Sequence, residues 1–158
     1  MTIEQIERFV RKIVKKGIYL VFHEDPYDDT CAYVYQNKPR LIHINLPRFN
    51  KFPLLIQKGT LMHEIGHTQT LPTFSGKNKD EKMRSQEKEK GKKGFIEFDA
   101  EVWGIKKAER LGMIQVAHAM RNSLRKWSII PLEKRRNEDS IYYRYFMASQ
   151  MAKQKNII

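Results

Sequence analysis

Residues 53–68 read PLLIQKGTLMHEIGHT, and their periodicity decides how the chain is built. Proline suits the first turn of a helix, where its missing N–H would have no partner anyway. Leu54, Leu55, Leu61, Met62 and Ile65 make the stretch largely apolar, which predicts a well-covered helix from about Pro53 to Thr68. Gly59 weakens that helix by about 1 kcal/mol relative to alanine, a loss that points to close packing at this position. His63 and His67 stand four apart, so they project from one face, one turn from each other. Two imidazoles so placed can hold one zinc ion. Glu64 sits to one side of the pair, where its carboxylate reaches a metal-bound water without being a ligand.

A zinc site that does chemistry needs a third protein ligand and one open position. Thirty residues beyond His67 lies Glu97, in GFIEFDAEVWGIKKAERLG, a segment that predicts a helix over about 95–110. Glu97, Ala100, Glu101, Gly104 and Ala108 fall on one stripe of it. The small residues let two helix backbones approach, so the stripe can lie against the histidine helix and bring Glu97 to the metal. Glu101, one turn on, can accept a hydrogen bond from the non-ligating nitrogen of a bound histidine, an arrangement that sets its tautomer and orientation. Two alternatives remain open on these residues. His118 is the sole downstream histidine that could serve as third ligand, and it lacks such a stripe. The site could also be purely structural, in a catalytically silent, zinc-stabilised module that binds nucleic acid or a protein partner.

The motif HEIGH (63–67), the preceding LIHINL (41–46) and the later EFDAEVWG (97–104) together resemble the ImmA/IrrE family of metallopeptidases. That likeness runs from about residue 18 to 111. It implies a minimal zincin-like, gluzincin-type domain with one Zn2+ ion. His63, His67 and Glu97 match its zinc ligands, Glu64 its catalytic glutamate, and Ala100 and Trp103 its packing positions. Glu101 stands where the family usually has Asn or Asp, and Gly104 replaces the usual Ala. The resemblance further implies an endopeptidase that cuts a regulatory protein such as a DNA-binding repressor. An oxyanion or substrate-binding donor would then be needed. Candidates are His43, Tyr33, Tyr35 and the tyrosines of IYYRYF (141–146).

The rest of the chain sets the frame. Its 158 residues suit one domain, 1–158, with a core over about 1–111 and a helical extension over about 112–158. Helical spacing of Ile3, Ile6, Val10, Ile13 and Val14 predicts a first helix over 2–16, ended by Gly17. Residues 18–23 read as a strand, and the acidic EDPYDD as a solvated turn. Residues 31–36 and 41–46 predict a hairpin around Pro39, with 41–46 at an edge where an extended substrate could add. Residues 71–94 are polar and lysine-rich, and predict a mobile loop at one rim of the cleft. Helices over 113–127 and 138–154 follow. The expected class is α+β: a small, mostly antiparallel sheet packed on helices.

A net charge of +12 favours acidic partners, and Arg121, Arg125, Lys126, Lys134, Arg135 and Arg136 are candidates for a nucleic-acid patch. Cys31 is the single cysteine, so no intramolecular disulfide can form, and a small buried hydrophobe is its expected role. No run reads as a signal peptide or membrane span, so the expectation is a soluble cytoplasmic protein.

Overall fold

The computed structural model describes residues 1–71 and 93–158. Among them seven helices and three strands form an α+β arrangement around one hydrophobic core. Helix α1 (Ile3–Ile13) starts at a reciprocal bond pair between Thr2 and Gln5, and buries Ile6, Val10 and Ile13. It stops short of Lys16 because Val14 is already extended and Gly17, at φ +86°, turns the chain towards the sheet.

Strands β1 (Tyr19–His23), β2 (Ala32–Val34) and β3 (Leu41–Asn45) make one sheet in the order β1-β3-β2. β2 pairs with β3 antiparallel, as a hairpin requires, with Tyr33 opposite His43. β1, however, runs parallel to β3, from Tyr19 opposite Leu41 to His23 opposite Asn45. The sheet is therefore mixed, not mostly antiparallel. β3 is also central and not an edge. Alternation in LIHINL shows which face of the strand is buried, with Ile42 and Ile44 fully covered. It carries nothing about which of the two flanks finds a partner. The outer flanks belong to β1 and β2. Asn45, nearly fully buried, donates to the carbonyls of Asp25 and Asp28, and so pins the acidic turn to the end of β3.

Two one-turn helices, α2 (Leu46–Phe49) and α6 (Leu132–Arg135), are too short to show a period in sequence. In α2 a proline in the first turn and the fully buried Phe49 override the reading of Leu46 as strand. The long helices are α3 (Leu54–Thr70), α4 (Phe95–Arg110), α5 (Ile114–Trp127) and α7 (Ile141–Gln154). α4 opens at Gly94, whose φ of +90° and 2.7 Å clearance to the Arg144 carbonyl both demand glycine. The predicted loop over 71–94 lies, apart from Leu71, Lys93 and Gly94, outside the described residues. No described helix is long and apolar enough to cross a membrane.

The joint that matters is α3 against α4. A Cβ on Gly66 would overlap the Ala100 carbonyl and come within 2.9 Å of the Ala100 Cα. A Cβ on Gly104 would sit 2.5 Å from Met120 Cε and 3.0 Å from the Met62 carbonyl oxygen. The small-residue stripe of α4 thus faces α3, with Ala100 and Ala108 fully buried in the seam. Backbones this close leave the acidic end of the stripe nowhere to point except at the histidines.

Candidate metal centre

His63 and His67 leave α3 on the side covered by α4, and Glu97 reaches them from the first turn of α4. His63 Nε2 lies 3.0 Å from Glu97 Oε2, and His67 Nε2 lies 3.2 Å from the same oxygen. The three residues can each offer one ligand atom within 4.8 Å of the others, close enough to hold a metal ion. His67 and Glu97 are buried, and the His63 side chain is 12% exposed. The other His63 nitrogen, Nδ1, meets Glu101 Oε2 at 2.5 Å. Glu101 is 3% exposed, so this carboxylate is committed to the imidazole. Glu64 is buried beside them with Oε2 unpartnered, and His67 Nδ1 is likewise unpartnered.

Electrostatics follow from crowding three carboxylates and two imidazoles out of water. Burial alone would push the His63 pKa down, but hydrogen bonds to Glu101 and Glu97 reverse this and hold it well above the usual histidine value. Burial would push Glu97 up, and its bonds to His63 and His67 instead hold it well below the usual carboxylate range. Burial raises Glu64, against the opposing pull of both histidines. Without a cation, then, the cluster is held by a proton on His63. A divalent cation can take that place: two imidazole nitrogens and one carboxylate oxygen converge, and a second carboxylate backs one imidazole. The donor set fits a metal of the zinc type.

The cluster opens onto a cavity of about 960 Å³. Its walls come from β2 and the turn before it, from one face of α3, from α5, and from the start of α7. Tyr33 and Tyr35 are among them; His43 is not. His43 is stacked between Tyr33, at 4.7 Å, and His23, whose Nε2 is 2.8 Å from His43 Nδ1. It belongs to the sheet face opposite Ile42 and Ile44, away from the metal-holding cluster, because residues along a strand alternate sides. His118 is exposed on α5 and takes no part in the cluster.

Among the tyrosines of 141–146, Tyr145 is the one joined to the cluster. It stacks on Trp127 at 4.5 Å and 15°, and Trp127 in turn meets His63 edge-on at 6.0 Å. Burial and the nearby charges of Glu97, Glu64 and Glu101 raise its pKa, so the phenol stays protonated. Trp127 read in sequence only as a core position; no spacing rule ties α5 or α7 to the histidines. Cys31 lines the same cavity, its thiol pushed up to about 11 by burial and by Glu64. It is a neutral wall residue.

Of the basic residues, Arg121 is engaged with Glu109 and the Ile157 carbonyl, and Arg125 with Asn122. Arg135 lies 3.9 Å over the Phe146 ring, and Lys134 5.7 Å over Tyr142. Much of the expected patch therefore serves packing within the chain.

Protein-family models, curated proteins and solved structures give no match to this chain.

Proposed function

We propose that the chain is a zinc-dependent peptidase of the gluzincin type, built like the ImmA/IrrE proteins. The observation that carries this is the meeting of His63 Nε2, His67 Nε2 and Glu97 Oε2 beside an unpartnered, buried Glu64 oxygen. His63, His67 and Glu97 would hold the ion, which when bound supplies a Lewis acid and a water acidified to a pKa of about 7. Glu64 takes a proton from that water and later passes it to the departing amine. Its raised pKa suits both halves of that exchange, because the group must hold the proton before it releases it. The Tyr145 hydroxyl donates to the oxygen that becomes negative as the carbonyl is attacked. Glu101 keeps His63 in the tautomer that offers Nε2 outward.

Substrate enters along β2 in this reading. β2 has one flank on β3 and the other unpaired within the sheet, and it lines the cavity together with His63 and Glu64. An extended peptide adds to such a flank by main-chain hydrogen bonds. A regulatory protein such as a DNA-bound repressor remains the proposed target, and the +12 charge supports approach to nucleic acid.

The test is Glu64→Gln. The variant should fold, bind one zinc and lose peptide hydrolysis. Retained cleavage would remove Glu64 from the mechanism, and a native chain that binds zinc yet cleaves nothing would leave the silent binding module as the answer.

A further inference from the structure

The cavity has a charged end and an uncharged one. Glu64, Glu97 and Glu101 cluster at the metal centre, and Asp28 and Asp29 lie before β2. Between α3 and α5 the walls carry no charge. Ile56, Gly59 and Thr60 fall on the face of α3 that leads to His63, and Ala119, Ser123 and Trp127 on one face of α5. The helices run side by side in the same direction here. A Cβ on Gly59 would stand 3.4 Å from Met120 Cγ, and one turn later His63 meets Trp127 at 6.0 Å. The result is a trough with its floor at Gly59 and Met120 and its mouth at the metal-holding histidine. Gly59, already a weak point for the helix, leaves that floor open.

We propose that this trough is the side-chain subsite that sets specificity: it receives an apolar side chain of leucine, methionine or phenylalanine size from the residue next to the bond being cut. The proposal rests on the peptidase reading and names its substrate class. A peptide paired along β2 and presented at His63 has one neighbouring side chain directed between α3 and α5, the one part of the wall without charge. A charged side chain would lose its hydration there and find no counter-charge. Met120 is unbranched and flexible, so the floor adjusts to linear and aromatic shapes.

The experiment uses two readouts on the zinc-loaded chain. Quenched peptides varied at the residues flanking the scissile bond are cleaved by the native protein, with products identified by mass spectrometry. The same peptides are titrated onto Glu64→Gln with tryptophan fluorescence as signal. Apolar side chains at one flanking position should exceed Glu or Lys by roughly 10- to 200-fold in both readouts. Gly59→Val should move the preference to alanine-sized residues. Ser123→Lys, at a half-exposed wall position, should move it towards acidic ones. Cleavage with no preference, or a ranking unmoved by both substitutions, overturns the trough and leaves the peptidase standing. Selective binding to Glu64→Gln without cleavage by the native protein keeps the trough and sinks the peptidase. Absence of both binding and cleavage overturns both.

Discussion

Single side chains here divide into those that could hold a cation and those arranged around it. Glu97 shares one oxygen between two imidazoles, a geometry a carboxylate adopts when it stands in the place of a ligand. Glu101 is held to one nitrogen of His63 and has no freedom to ligate. The family pattern would have placed Asn or Asp at this position, and the longer side chain still reaches because α4 lies so near α3. Tyr145 invites the sharpest substitution. Tyr145→Phe should leave zinc affinity and thermal midpoint nearly unchanged and lower kcat by about 10²- to 10³-fold, as loss of one oxyanion donor does elsewhere. Steady-state kinetics on a cleaved peptide decides this, and an unchanged kcat would take the hydroxyl out of the chemistry.

Helices and strands were unequally legible. The apolar spacing of α3, α4 and α5 announced those helices to within a residue or two, and the stripe of Glu97, Ala100, Glu101 and Gly104 announced which face of α4 turns inward. Sheet order was not readable, because a strand with one buried face satisfies that pattern with either flank paired. The α3–α4 seam is where element packing and site geometry meet. Gly66→Ala puts a methyl group into the Ala100 carbonyl, so the helices must separate. A loss of at least 1–3 kcal/mol is expected from overpacking of this kind. Urea unfolding of the metal-free protein measures it, and zinc affinity should fall as well, since Glu97 retreats with α4.

For the molecule as a whole, metal and proton compete for one position. The folded pKa of His63 is raised, so its bonds to Glu101 and Glu97 stabilise the metal-free fold fully below the unfolded histidine value of about 6.5. That contribution is lost as pH climbs through the raised folded value. Zinc needs His63 Nε2 unprotonated, so its own contribution grows across the same interval. Chelated protein should therefore melt lower at about pH 8 than at about pH 6, and the rise in melting temperature on adding zinc should be larger at the higher pH. Scanning calorimetry with and without zinc at both values checks this; a zinc increment that does not grow with pH would mean that His63 is not where the metal binds.

The order of residues settled the local facts. Helix α3 puts His63, Glu64 and His67 on neighbouring positions of one turn, and no tertiary contact is needed to derive this, because 3.6 residues per turn suffices. The stripe on α4 likewise follows from spacing. Folding alone settled what surrounds them. That Trp127 and Tyr145 stand beside His63, that His43 turns to the other sheet face, and that β2 and not β3 offers its flank are all relations between segments far apart in the chain. Periodicity encodes how a segment meets its own core, and the partner on the far side of the cavity is chosen only when the packed helices close around it.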